Sequence, residues 1–293
     1  MANLTSNGIT IEYEISGSGP PLLLVMGLGG QLVDWPQDFV DQLSERFTVI
    51  RFDNRDIGLS TKFDWTPPAR SAALKQRFSR KAPEVGYYLA DMADDAVGLL
   101  DGLNISQAHV VGMSMGGMIA QSVAIAHPDR VLSLTSVMST TGNPRVGGVD
   151  PKLIVPLVRR PPTTLANAED ESVWIFQRIS GPHWDEATHR ESQAVSIGRN
   201  FCPDGTARQL AAIMASPDRT PQLQKLDVPT LVIHGLVDRL VVPSGGIATV
   251  KAVPGARLLM LPDMGHDLPA PRFGEMVDAI TMNTERAAAG VPA

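Results

Sequence analysis

Ser114 stands in the stretch GMSMGG, with glycines two places to either side, Gly112 and Gly116, and a third at Gly117. A hydroxyl in the middle of an otherwise apolar run needs a reason, and a nucleophile held at a sharp turn supplies one. The residues before it, HVVG, read as a strand, and those after it, MGGMIAQSVAIAH, read as a helix. A strand-to-helix turn this tight strains the backbone of its apex residue. It also brings the two elements so close that only hydrogen fits at the flanking positions, which Gly112 and Gly116 satisfy. The amide of Met115 then lies at the helix amino end, aimed at any negative oxygen that forms beside the serine. This is the GxSxG nucleophile-elbow pattern.

A serine hydroxyl is too weak an acid to attack a carbonyl unaided, so it needs a histidine base and a carboxylate to orient that base. Six histidines are available. His109 opens the strand before the serine and His127 closes a helix, both structural positions. His183 and His189 fall in a middle block and read as solvated surface or substrate contacts, and His234 ends a strand beneath the site. His266, in LPDMGHDLP, follows the strand ARLLML, and Asp238 follows the strand PTLVIHG. One helix and one strand separate the two, which brings both loops to one sheet edge. Asp263 and Asp267 are rival acids, but a neighbour in sequence tends to point away from the ring, so Asp238 is the expected partner of His266.

A second oxyanion donor is expected in MGLGGQ, after the strand PLLLVM, where Gly27 lets the backbone turn and the amide of Leu28 pairs with that of Met115. Asp53, Arg55 and Asp56 in FDNRD also follow a strand at this edge. Their expected task is bracing, since carboxylate and guanidinium groups tie adjacent loops together by paired hydrogen bonds.

The elements that must position these residues alternate along the chain. ITIEYEIS, preceded by the hairpin signal Asn7-Gly8, reads as a half-buried strand, and PLLLVM as a strand covered on both faces. Helical spacing follows in DWPQDFVDQLSERF, then the strand TVIRFD and the helix GYYLADMADDAVGLLDGL. After the elbow and the strand VLSLTSVM the rhythm stops. Residues 142–225 are rich in Pro, Arg and Gly and carry helical stretches without a clear strand. Alternation then resumes through PTLVIHG, PSGGIATVKAV, ARLLML and the helix from RFGEMVDAI, with the terminal AAAGVPA expected to fray. The organisation is a core over 1–141 and 226–293, interrupted by an insertion at 142–225. Strands and helices taking turns mean a parallel sheet with helices on both faces.

Composition narrows the partners. The chain has 293 residues, 43% of them hydrophobic, enough for one large core with an inserted lobe. Its net charge of −6 and scattered basic residues exclude a phosphate-binding stripe, so nucleic acid is not expected. The single Cys202 excludes an internal disulfide and offers no metal site. No apolar run approaches the ~20 residues of a membrane span, and no amino-terminal leader pattern is present, so a soluble cytoplasmic protein is expected. A homodimer is left open.

Ser114 in GMSMGG, Asp238 in HGLVDRLVVP, His266 in DMGH and the segment VIRFDNRDIGLST together resemble the α/β-hydrolase superfamily over nearly the whole chain. LLLVMGLGGQLVDWP followed by RFDNRDIGLST is similar to the carboxylesterase and lipase-like group that includes the aclacinomycin methylesterases. The resemblance implies the order Ser, Asp, His and a mostly parallel sheet of about eight strands with helices on both faces. It also implies that the insertion is a helical lid whose apolar residues, among them Leu153, Ile154, Leu157, Trp174, Phe176 and Trp184, line a pocket or pack on the core. One departure is Met26-Gly27, where many relatives carry His-Gly. The expected activity is hydrolysis of uncharged, moderately apolar carboxylic esters, with no metal or organic cofactor. Perhydrolase, thioesterase, carbon–carbon hydrolase and small-molecule receptor remain alternatives.

Overall fold

In the computed structural model the described residues are 1–67 and 84–290. Among the described residues, eight strands form one sheet: β1 (Ala2–Ser6), β2 (Ile9–Ser16), β3 (Pro21–Val25), β4 (Thr48–Phe52), β5 (Ala108–Met113), β6 (Val131–Val137), β7 (Thr230–Gly235) and β8 (Arg257–Leu261). Their spatial order is β1-β2-β4-β3-β5-β6-β7-β8. The first two pairings, β1 with β2 and β2 with β4, are antiparallel, and all the others are parallel. The antiparallel start follows from the Asn7-Gly8 turn, whose two residues take positive φ of 49° and 75° as a tight hairpin demands.

Parallel strands need crossovers, and the helices that supply them cover both faces. Along β3, Leu23 and Val25 face one side, where they pack with α2 (Leu89–Gly102) and α3 (Met115–Ala126) through Met92, Leu99, Ile119 and Val123. Leu22 and Leu24 face the other side. There they meet Phe39 and Leu43 of α1 (Gln37–Ser44) and Met276 and Ile280 of α9 (Phe273–Ala288), the last helix. Burial on both faces is why PLLLV shows no polar alternation. Between β6 and β7 lie α4 (Pro151–Val158), α5 (Ala168–Ile179), α6 (Glu186–Arg199), α7 (Pro203–Ala215) and a helical turn at Thr220–Leu223; α8 (Ser244–Ala252) then links β7 to β8.

The expected helix over DWPQDFVDQLSERF is shorter than its apolar spacing. Pro36 has extended ψ and caps α1, so Trp35 lies before the helix, after a 3-10 turn at Leu32–Asp34. At the other terminus α9 continues to Ala288, into the stretch expected to fray, and residues 291–293 lie outside the described residues. Among the described residues no helix is long and apolar enough to cross a membrane. The carboxyl ends of β3, β5, β7 and β8 share one sheet edge, and from that edge emerge the loops carrying Leu28, Ser114, Asp238 and His266.

Candidate active site

Ser114 joins β5 to α3 with φ 55° and ψ −119°, a conformation costly for any residue with a side chain. Neighbours built around it enforce that turn. Ser114 donates its amide to the Val137 carbonyl at 2.9 Å, and its own carbonyl accepts from Ser139 Oγ at 2.8 Å. A methyl on Gly112 would lie 2.1 Å from the Gly116 oxygen, and one on Gly116 would lie 2.0 Å from the Val25 oxygen. Gly117 is crowded by a side chain instead, since a methyl there would lie 2.6 Å from Ser139 Cβ. Gly112 and Gly116 are thus required by close approach of backbone to backbone.

The structure brings Ser114, His266 and Asp238 into one chain of hydrogen bonds. His266 Nε2 lies 2.9 Å from Ser114 Oγ, and its Nδ1 lies 2.8 Å from Asp238 Oδ2. An ionised Asp238 can only accept, so Nδ1 carries the proton and Nε2 is left to accept the serine O–H. Asp238 is 2% exposed, and its other oxygen accepts the amides of Leu240 and Val241 at 2.9 Å each. His234 supports this loop from below: its Nε2–H donates to the Val241 carbonyl at 2.8 Å, with Asp238 Oδ2 3.6 Å away. Burial lowers the pKa of His234, which keeps the ring neutral. The main-chain amide of His266 donates to Ile179 at the end of α5, 2.7 Å away.

The two rival acids are occupied elsewhere. Asp263 pairs with Arg272 and His183, and those contacts, the guanidinium first, lower its pKa to about 2. Asp267 Oδ1 accepts the amides of Gly181 and Gly265 at 2.9 and 3.0 Å, tying the second residue after α5 to the histidine loop. Burial raises the pKa of Asp267.

Leu28 lies in a turn pressed against the serine. A methyl on Gly27 would sit 3.3 Å from Ser114 Cβ. Among the described residues, the amides of Leu28 and Met115 have no hydrogen-bond acceptor, so both remain available to an oxyanion. Met26 is buried, its side chain fills the space beside Gly30, and its carbonyl accepts from Asn54 Nδ2 at 3.0 Å. Downstream, Gln31 donates to the carbonyls of Ser196 and Asn200 at 2.6 and 2.8 Å, and accepts from Arg199 at 2.7 Å. Gln31 was not singled out from the sequence, where a neutral polar residue after a glycine turn carries no periodic or charge signal.

The charged loop after β4 braces its surroundings. Asp53 accepts from the amides of Leu32 and Leu59 and from Arg199. Arg55 forks onto Asp95 and lies over the Phe63 and Tyr87 rings, while Asp56 binds Arg208 and the Tyr87 hydroxyl. Burial and Asp56 together raise the pKa of Tyr87. The remaining histidines are held apart from the serine. His109 bonds Ser133 and has its pKa lowered by burial to about 4, His127 pairs with Asp94, and His189 bonds Ser172 among the Phe176 and Trp184 rings. The guanidinium groups of Arg160 and Arg178 both lie over the Trp174 ring, and Leu153 is buried in α4. Cys202 is a partly buried free thiol.

The chain is 26% identical over 308 aligned positions to rhodomycin D methylesterase DnrP of Streptomyces peucetius, covering 97% of this chain and 98% of that one. It is also 26% identical to the pimeloyl-[acyl-carrier protein] methyl ester esterase of Aeromonas hydrophila, over 88% of this chain and 92% of the relative. Among solved structures, the enol-lactonase of Burkholderia xenovorans LB400 superimposes with a TM-score of 0.73 at 23% identity, covering 97% of this chain and all of that one. A family model described as alpha/beta hydrolase fold matches residues 20–270. A match of that extent, on a sheet of this order with a serine at its elbow, means that the chain belongs to the alpha/beta hydrolase fold family.

Proposed function

We propose that this protein hydrolyses carboxylic esters by two-step acyl transfer, with Ser114 as nucleophile, His266 as general base and acid, and Asp238 orienting the ring. It is a carboxylic ester hydrolase by family and by the methylesterases that align along nearly its whole length. The observation that carries the residue roles is the continuous line Ser114 Oγ, His266, Asp238, at 2.9 and 2.8 Å.

In the first half-reaction Ser114 Oγ attacks the ester carbonyl while Nε2 of His266 takes its proton. The imidazolium so formed is stabilised by the buried Asp238 carboxylate. The carbonyl oxygen gains its negative charge between the amides of Leu28 and Met115. Each such donor is typically worth about 10²–10³ in turnover. His266 then gives the proton to the departing alcohol, and water repeats the sequence on the acyl-enzyme to release the acid.

The substrate is read as an uncharged, moderately apolar ester, and methyl esters of larger acids are the class to try first, since two relatives are methyl ester hydrolases by name. The helices between β6 and β7 serve as the lid over the serine, a role supported by the contacts of Ile179 and Gly181 with the histidine loop and of Ser196 with Gln31.

Purified protein is offered p-nitrophenyl acetate, butyrate and octanoate beside the Ser114→Ala variant, and each is exposed to a fluorophosphonate probe. Release by the wild type well above the variant, with label on Ser114 alone, is the expected result. Equal release from both proteins together with an unlabelled serine would reject the proposal.

A further inference from the structure

The oxyanion turn contains three glycines in four residues, Gly27, Gly29 and Gly30, and so has almost no side chain of its own with which to choose a conformation. What holds it is visible one bond at a time. The Gly30 amide donates to the Gly27 carbonyl at 3.3 Å, closing a four-residue turn, and Gly29 at the third position has φ +73°, as a type II turn requires. The Gly27–Leu28 peptide is trans, so with the Gly27 oxygen turned into the turn, the Leu28 N–H points out of it. Types I and II differ by a flip of the next peptide, Leu28–Gly29. The Gly29 N–H on that peptide donates at 2.9 Å to Oε1 of Gln209.

Gln209 is 0% exposed and lies on α7, far along the chain from the turn. Its Nε2 donates to the Arg55 carbonyl at 2.8 Å, which fixes the amide's orientation and leaves Oε1 facing Gly29. Asn54, next to Arg55, holds the Met26 carbonyl at the start of the same turn. One helical turn before Gln209, Thr206 packs so close to Gly29 that a methyl there would lie 2.9 Å from its Oγ1. Burying an amide side chain is unfavourable unless each polar end is used, and here one end reads a catalytic turn and the other reads its brace.

We infer that Gln209 is a positioning residue for the oxyanion site: by accepting the Gly29 amide it fixes the Leu28–Gly29 peptide in its type II orientation and so holds in place the glycine turn that carries the Leu28 N–H beside the serine. The inference rests on the proposed roles of Ser114 and Leu28. Gln209 touches no substrate. Its effect falls on transition-state stabilisation, with ground-state binding unchanged.

The test is Gln209→Met, which keeps the length and apolar stem but removes both hydrogen bonds, beside Gln209→Glu, which keeps an acceptor for Gly29. On p-nitrophenyl butyrate the Met variant is expected to lose about tenfold or more in kcat with KM within about twofold of wild type, a fraction of a full donor loss. It should lose affinity for an alkyl trifluoromethyl ketone, whose adduct with Ser114 carries an oxyanion, by the same factor, and Gln209→Glu should recover part of both. A folded Met variant with unchanged kcat and ketone affinity, or one impaired in KM alone, would overturn the inference. If that variant does not fold, proton exchange of the Gly29 amide in the wild type, followed by NMR, decides. Slow exchange supports the inference and exchange at open-loop rates rejects it. Wild type that neither turns over ester nor labels with fluorophosphonate removes the proposed function itself, whereas active wild type beside an indifferent variant removes only the role of Gln209.

Discussion

At the scale of single residues, two positions give sharp expectations. Asn at 238 can still accept the Leu240 and Val241 amides, but its NH2 must face Nδ1 of His266. That forces the proton onto Nε2, the atom that receives it from Ser114 in the proposed reaction. Asp238→Asn should therefore fold normally and lose about 10³–10⁴-fold in kcat, measured by ester release with circular dichroism as the control. Gly116→Ala sets a methyl 2.0 Å from the Val25 oxygen, backbone against backbone with no flexible atom to yield. It should cost about 3 kcal/mol or more in urea unfolding, at the upper end of overpacking penalties. Both positions are legible in the sequence because their types suit the tasks proposed for them. A serine between spaced glycines, and a histidine and an aspartate each just past a strand, leave few other readings. Gln31, Gln209 and Asp267 were not legible as props of the site. Each acts by hydrogen bonds to main-chain groups from distant segments, and such pairings leave no spacing to read.

At the scale of elements, the joint between α6 and the loop after β3 contains a strained acid. Asp34 Oδ2 accepts the Gln31 amide at 2.6 Å and the Ser196 hydroxyl at 3.1 Å, while its Oδ1 is shut from solvent with no hydrogen-bond partner among the described residues. Burial raises its pKa from 3.8 to about 6, opposed by the Gln31 and Ser196 contacts and reinforced by the nearby Asp53 charge. Because the folded state holds this proton more tightly than the unfolded one, the penalty is absent below about pH 4. It grows as pH rises from 4 to 6 and stays constant above that. Asp34→Asn should thus raise unfolding free energy by about 1–3 kcal/mol at pH 8, with the gain vanishing toward pH 4, as followed by denaturant titration at both values. Helix starts were less legible than strands for a related reason. The apolar spacing from Trp35 to Phe47 is helical, but Pro36 sets the helix start inside it. The strands are legible with nearly their observed limits, apart from β1, which only the Asn7-Gly8 signal announces.

At the scale of the whole molecule, α7 is latched to the core by the buried pair Arg208–Asp56, at 2.8 Å, with the Phe63 amide and Tyr87 hydroxyl completing the carboxylate's partners. Arg208→Met leaves that carboxylate buried without its counter-charge. The expected loss is about 3–5 kcal/mol, seen as a lower midpoint in thermal unfolding. Activity in the cold should survive, since neither residue belongs to the serine's hydrogen-bond chain. The alternating core and the break in its rhythm were visible in the sequence; the latch was visible only as a charged loop whose expected task was bracing. Because β6 and β7 are parallel neighbours in the sheet, the chain between them leaves at the carboxyl end of one and re-enters at the amino end of the other, a span that the strands fix. Lengthening such an excursion costs chain entropy only logarithmically. If this stretch is the proposed lid, evolution can exchange it wholesale to suit acids of new shape, while the strands keep their register. The freedom has one boundary: a transplant lacking counterparts of Gln209, Ser196 and Ile179 would arrive with a new roof and leave the old machinery unsupported.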